Sequence, residues 1–212
     1  MKGITFGNYH SYNNLKLILT HKEIGSPAVK TNKVDIPGAD SSLDLTDFFG
    51  EPKYEDVTHK FEFTTIEPQS DFLTQYSTIK NAIHGKKVRI ILDDDPTFFY
   101  LGRCHVSSFT SEKGIGTISV ECECEPYKYK LAETVVTRTL NGTEVITLTN
   151  ARKRAVPSIK STATMTIVFG SDTWTAGAGT YVIPEFELAE GENNVTVTGA
   201  GSITFTWQEG AL

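Results

Sequence analysis

The spacing of apolar residues predicts one helix in the first part of the chain. In one segment they recur every three or four positions, and these are Phe72, Tyr76, Ile79 and Ile83. That spacing puts them on one helical face, where they would pack into a core. Ser70 is placed to cap the start and Gly85 to end the helix. We therefore predict a helix over about 71–84.

Elsewhere in the first 130 residues the pattern is that of strands. Runs rich in β-branched and aromatic residues occur at 15–19, 59–64, 88–92 and 98–101. Turn-forming residues at 93–96 and 112–116 predict two hairpins. Residues 117–125 alternate, so that Ile118, Val120, Cys122 and Cys124 share one face and three glutamates the other. This alternation predicts a half-buried strand with both thiols in the core.

After residue 130 the chain shows no helical period. Short strand candidates lie at 135–139, 144–149, 165–169, 179–183, 193–198 and 202–207. Glycine-containing segments separate them, including Asn141-Gly142 and Gly199-Ala200-Gly201, and we interpret these segments as turns. Closely spaced strands with such turns predict a β-sandwich, with Trp207 facing its core.

Composition changes between the two parts. Residues 131–212 hold 16 threonines in 82 residues, whereas residues 1–130 carry 33 of the 46 charged side chains. We expect two domains, a strand-rich domain with one helix at 1–130 and a sandwich at 131–212. The predicted fold class is mainly β.

Charge and hydropathy exclude several function classes. The chain has 20 Lys and Arg against 26 Asp and Glu, a net charge of -6, which is unlike a nucleic-acid-binding surface. Its longest apolar stretches, such as 88–92, are far shorter than the roughly 20 residues that span a bilayer. The first ten residues lack the apolar region of a signal peptide. We expect a chain that folds in a cytoplasm and does not insert into membranes.

The cysteines and histidines form no recognisable catalytic or metal site. Cys122 and Cys124 have no second ligand pair for zinc, and three cysteines, an odd number, argue against a disulfide framework. Cys104 and His105 are adjacent, yet neighbours on a strand face opposite ways. The histidines match no ligand motif, and we expect each to be a surface or cap residue; they are His10, His21, His59, His84 and His105.

Charged clusters leave two alternatives open. Asp93-Asp94-Asp95 before Pro96 could hold a cation or an acid pair, but a solvated turn is the favoured interpretation. The Lys86-Lys87-Arg89 cluster follows the helix and suits its C-terminal end. Arg152-Lys153-Arg154 is either a solvated loop or a contact for an acidic partner. We predict no catalytic, cofactor-binding or metal-binding residues, and no enzyme.

Several segments together resemble one family. The sequence begins with ITFGNYHS at 4–11 and continues with IPGADSSLDLT at 36–46; RIILDDDP at 89–96 and VECECEPYK at 120–128 follow. In this order they resemble the N-terminal domain of distal tail proteins from phages with long, non-contractile tails. Residues 155–159, 186–188 and 191–199 resemble the C-terminal sandwich of that family. The resemblance covers nearly the whole chain.

The family resemblance implies a structural role. Its members form a hexameric ring, a baseplate hub between the tail-tube protein and the tail-tip or tail-associated protein. The first domain would surround a channel through which DNA passes without specific binding, and the second would project as a galectin-like sandwich. Receptor-binding or other baseplate proteins would be further partners. The protein would belong to the virion tail of a phage or prophage and would assemble in the bacterial cytoplasm.

An alternative is a carbohydrate-binding surface module. In that case Trp174, Tyr181 or Trp207 would stack on a sugar ring. The second part of the chain lacks the galectin pattern of His, Asn and Arg on one strand with Trp and Glu on the next, although Trp207-Gln208-Glu209 echoes part of it.

Overall fold

The computed structural model describes residues 2–48 and 50–212 and is mainly β, with 57% of the chain in strands and 7% in helices. The chain forms two compact units. One contains the residues up to Lys128 together with Leu212, and the other spans Tyr129–Ala211.

The first unit is built around an antiparallel sheet. The strands of the unit are β1 (Ile4–Phe6), β2 (Tyr9–His10), β3 (Leu17–Glu23), β4 (Lys33–Val34), β5 (Leu43–Asp44), β6 (Val57–Thr65), β7 (Lys87–Leu92), β8 (Phe98–Glu112) and β9 (Ile115–Lys130). The sheet has the order β2-β1-β7-β8-β9-β6-β3, whereas β4 and β5 pair only with each other. Both predicted hairpins, β7–β8 and β8–β9, are present.

The predicted helix is confirmed as α1 (Phe72–Ile83), which follows a 3-10 turn at Gln69–Asp71. It buries Phe72, Ile79 and Ile83 of the predicted stripe, and Gly85 follows its end with a φ of +75°. The predicted cap at Ser70 is wrong. The N-cap is Asp71, and it makes no side-chain capping hydrogen bond, because the chain enters the helix through the 3-10 turn.

Alternation along the strands separates the core from the surface of this unit. β6 buries Val57, Phe61 and Phe63, and β9 buries the four residues predicted from its pattern. The strand predicted to begin at residue 15 begins at Leu17, because Lys16 has a φ of +57° that no extended strand accommodates.

The second unit contains a six-stranded sheet built on a long two-stranded ribbon. Its strands are β10 (Thr134–Asn150), β11 (Ser158–Ser161), β12 (Met165–Phe169), β13 (Asp172–Ala176), β14 (Gly179–Val182) and β15 (Gly191–Trp207), and the short β16 (Gly210–Ala211) lies outside this sheet. β10 pairs with β15 over the full length of both. The opposite edge of β15 pairs with β12 through its first half and with β11 through its second half.

The turns predicted at Asn141-Gly142 and at Gly199–Gly201 are bends within continuous strands. Gly142 has a φ of +129° and Gly201 of +144°, which glycine tolerates without breaking the pairing. Arg138 Nε lies 3.9 Å from Glu144 Oε1, whereas six residues of straight strand span about 20 Å. The ribbon therefore bends sharply, and the sheet folds over its own core.

The second core includes a buried group of hydrogen-bonded polar atoms. Trp207 is buried, as predicted, and its Nε1 donates a hydrogen bond of 3.1 Å to Asn150 Oδ1. Asn150 in turn donates to the backbone oxygens of Lys153 and Leu188. The buried amide thus satisfies groups that would be costly to leave without partners.

Candidate assembly surface

The most unusual surface of the first unit is the segment between β3 and β6. We call residues 24–56 the arm. Antiparallel backbone hydrogen bonds hold it as a narrow ribbon, from Glu55 N to Ala28 O at 2.8 Å and from Lys30 N to Lys53 O at 2.7 Å. Farther out, β4 pairs with β5.

The arm has no core of its own. None of its described residues is buried, and none belongs to the hydrophobic core of the first unit. Large apolar side chains are nevertheless exposed along it, and these are Ile24, Val29, Val34, Ile36, Leu43 and Phe48. Phe48 is 70% exposed. An apolar set of this size on an extended ribbon is typical of a surface that another polypeptide covers.

Contacts of the described residues attach both ends of the arm to the sheet. Gly25 N donates a hydrogen bond of 3.2 Å to His59 Nδ1, and the Tyr54 ring packs edge-on against Tyr127 with centroids 5.8 Å apart. Gly25 also lies so close to β6 that a Cβ there would be 2.7 Å from Thr58 O. The start of the arm is therefore fitted tightly against β6.

His59 is a buried residue, and the expectation of a surface or cap position is wrong for it. Its ring packs edge-on against Tyr100, and its Nε2 has no hydrogen-bond partner. Burial lowers the pKa of His59, which keeps Nδ1 free to accept the Gly25 hydrogen. The alternation of His59 with Phe61 and Phe63 in the sequence could have indicated this burial.

The three consecutive aspartates diverge to separate partners. Asp93 accepts from Gly3 N at 2.7 Å and lies 3.1 Å from His10 Nε2. Asp94 pairs with Lys2 and Lys22, whose hydrogen bonds lower its pKa to about 2. Asp95 pairs with Lys128 at 2.9 Å. The carboxylates of this turn thus bind four separate parts of the first unit, and they do not meet at one site where a cation could bind.

The cysteines lie inside the first unit. Cys104, Cys122 and Cys124 are buried and free, while His105 is on the exposed face of β8. Cys104 and His105 thus face opposite sides of the strand, as the pattern indicates. In the described part of the chain, no group of three or more His, Cys, Asp or Glu side chains could hold a metal ion.

Residues of both basic clusters make hydrogen bonds or ion pairs with groups of their own unit. Lys86 Nζ donates to the carbonyl oxygens of Asn81 and Ala82 at the end of α1, 2.8 Å away in each case. In the second unit Arg152 pairs with Glu190 and Arg154 with Glu187.

The aromatic residues considered for sugar binding are divided between core and surface. Trp207 is buried, whereas Trp174 and Tyr181 are half-buried and pack against the second core. Trp174 contacts Phe186, with ring centroids 5.8 Å apart. Trp207 is thus unable to act as a stacking platform.

Helices long and apolar enough to cross a membrane are absent from residues 2–48 and 50–212.

Comparison with known proteins finds no match by sequence and a match by structure. No protein-family model matches the sequence, and no curated protein is significantly similar to it. Among solved structures, the chain is similar to the crystal structure of SPP1 Dit, described as a paradigm of the hub adsorption apparatus in phages that infect Gram-positive bacteria. The TM-score is 0.76 with 13% identity, and the match covers 100% of both chains. The likeness confirms, at the level of fold, the resemblance to distal tail proteins.

Proposed function

We propose that this protein is a non-enzymatic structural component at the distal end of a phage or prophage tail. The observation that carries the proposal is the likeness of fold to SPP1 Dit over the whole chain. In this proposal six copies form a ring, a hub that joins the tail-tube protein to the tail-tip or tail-associated protein. It has no cofactor.

The arm supports the ring. A ring with cyclic symmetry needs two different surfaces on each subunit, one of which docks on the next copy. The arm is an extended ribbon with exposed Val34, Ile36 and Leu43 and no core beneath them. Docked against the neighbouring copy, these side chains would leave water. An interface of this kind should bury more than about 1,000 Å².

The proposal also assigns a different role to each of the two domains. The domain at 1–130 forms the ring and carries the arm, and the galectin-like domain at 131–212 projects outward toward receptor-binding or other baseplate proteins. DNA passes through the ring. A net charge of -6 fits a passage that does not retain phosphates, because each bound phosphate would add a salt-dependent contact.

The oligomeric state of the full chain tests this function. Light scattering of the chain alone should give six times the chain mass of 23.4 kDa, and a complex with the tail-tube and tail-tip proteins should contain six copies of the chain. Negative-stain images should show rings. A monomer under both conditions would contradict the proposal.

A matched pair of variants tests the arm. Val34→Asp combined with Leu43→Asp should abolish the hexamer, because it places charges where the next copy docks. Val135→Asp combined with Val182→Asp introduces the same two charges at exposed valines of the second unit and should leave the hexamer intact. Both proteins should stay folded. Equal effects of the two changes on assembly would remove the arm from the interface.

The sugar-binding alternative has less support, since Trp207 is in the core. Glycan binding by the intact protein that is lost in Trp174→Ala would revive it.

A further inference from the structure

Two thiols meet in the core of the first unit without serving any site described above. Cys122 Sγ donates a hydrogen bond to Cys104 Sγ across 3.2 Å, and both residues are 0% exposed. Cys124 is two residues farther along β9 on the same face.

The backbone brings the first two cysteines directly opposite each other. β8 and β9 are neighbours in the sheet, and a Cβ added to Gly102 would lie 3.1 Å from Cys124 Cα. Gly102 is therefore opposite Cys124. Two residues closer to the β8–β9 turn on each strand, Cys104 is opposite Cys122. Opposed residues of antiparallel strands have Cα atoms about 4.5–5.5 Å apart. This separation is within the range that a disulfide bridges, about 4.4–6.8 Å.

We propose that Cys104 and Cys122 form a disulfide that cross-links β8 to β9 when the protein meets a peroxide oxidant. One thiol reduces hydrogen peroxide, becomes a sulfenic acid and releases one water. The sulfur of the second thiol then attacks the sulfenic sulfur, and the new S–S bond forms as a second water leaves. Two thiols are oxidised and one peroxide is reduced.

Burial makes this reaction slow. The hydrogen bond to Cys104, together with burial, raises the pKa of Cys122, and burial raises the pKa of Cys124 to about 12. Because the thiolate is the reactive species, the thiols stay reduced in a cytoplasm and oxidise over hours outside it. The cross-link is independent of the proposed function. If that function holds, subunits would assemble in the reduced form and acquire the bond after release from the cell.

The experiment counts thiols in the full-length protein. The protein is treated with hydrogen peroxide, quenched, unfolded in guanidinium and titrated with a chromogenic disulfide. We expect the count to fall from three to one, and dithiothreitol to restore three. Intact mass should fall by the two hydrogens lost, and peptide mapping should recover Cys104 linked to Cys122. The oxidised protein should unfold at a higher temperature than the reduced protein.

Single substitutions separate this pair from the third cysteine. Cys124→Ser should still lose two thiols, whereas Cys104→Ser and Cys122→Ser should each keep two. Three thiols remaining in the native protein would overturn the proposal. A gain in mass from sulfinic acid, or a bond that includes Cys124, would overturn it as well.

Discussion

The molecule contains two long antiparallel ribbons of different character. The ribbon formed by β10 and β15 pairs through 17 consecutive positions and buries apolar residues such as Ile146 and Val197 on its inner face. The arm is held by backbone hydrogen bonds, and none of its described residues is fully buried.

The comparison shows that strand pairing alone does not make a ribbon stable. An isolated two-stranded ribbon is marginally stable in water, because backbone hydrogen bonds contribute little net free energy. The bend in β10 and β15 brings their apolar face over a shared core. The arm has apolar side chains of comparable size, but among the described residues none of them is buried in a core, so this apolar surface is available for another polypeptide.

The largest expected difference comes from placing a charge on each ribbon. Val197→Asp should prevent cooperative unfolding of the second unit, since an unpaired carboxylate in that core costs several kcal/mol. Val34→Asp in the arm should leave the unfolding of both units within about 0.5 kcal/mol of the parent. Circular dichroism during thermal unfolding measures both effects. A folded, fully stable Val197→Asp protein would contradict the contrast.

The bend is tested next, with glycines of the two ribbons. Gly199→Ala should cost about 2 kcal/mol, because the new Cβ would lie 2.8 Å from Met165 Cγ and 3.1 Å from Thr164 O. Gly38 in the arm also has a positive φ, +86°, but no atom lies within 4 Å of an added Cβ. Gly38→Ala should therefore meet only the backbone strain that a positive φ imposes on an L residue, and should cost less, about 1 kcal/mol. Urea titration monitored by tryptophan fluorescence compares the two, and equal losses would show that crowding at the bend has no role.

The attachment of the arm should depend on pH. The pKa of His59 is lowered by burial, so the folded protein favours the neutral ring. The neutral His59 ring contributes its full stabilisation at pH values above about 6.5, the pKa of histidine in the unfolded chain. As the pH falls from there to the lower pKa of His59 in the folded protein, the free energy of unfolding decreases. The loss is at most about 1.4 kcal/mol per pH unit. A protonated Nδ1 also loses the hydrogen bond from Gly25.

Urea unfolding between pH 7.5 and 5.5 should show this loss, and His59→Gln should reduce it, because glutamine does not titrate. Amide exchange at Gly25, corrected for the intrinsic pH effect, should accelerate at pH 5.5 in the parent. Asp94, with its pKa at about 2, does not titrate in this interval. An unchanged pH dependence in His59→Gln would assign the effect to other groups.

The smallest effect is expected on the outer face of the long ribbon. Thr143 and Thr198 are cross-strand partners with hydroxyl oxygens 2.9 Å apart, and both are exposed. A double-mutant cycle with alanine at both positions should give a coupling of about 0.2–0.5 kcal/mol. A coupling above about 1 kcal/mol would mean that the polar face contributes as much as the buried one.

The sequence predicted the elements whose cause is local. The stripe of α1 and the alternation of β9 follow from periodicity, and both appear where expected. The sequence pattern predicts turns at Gly142 and Gly199 where the strands bend, because glycine permits either conformation. Only pairing with a strand about 60 residues away selects the bend.

The candidate surface was largely hidden from sequence analysis. The arm contains scattered apolar residues without a period, and nothing local shows that they remain exposed. The meeting of Cys104 with Cys122 was also missed, although the predicted hairpin already placed both on neighbouring strands. The core position of Trp207 was predicted correctly, since its alternation with Phe205 and Ile203 is local.

The pairing of Thr134 with Trp207 has a mechanical consequence. Both residues lie at the same end of the β10–β15 ribbon, so a tensile load that acts on them pulls the two strands apart from that end. The hydrogen bonds between the strands would then break one after another, and not all together as they would under shear. This unit should yield at low force, and it should re-form readily because its two strands remain joined at the far end by the rest of the fold.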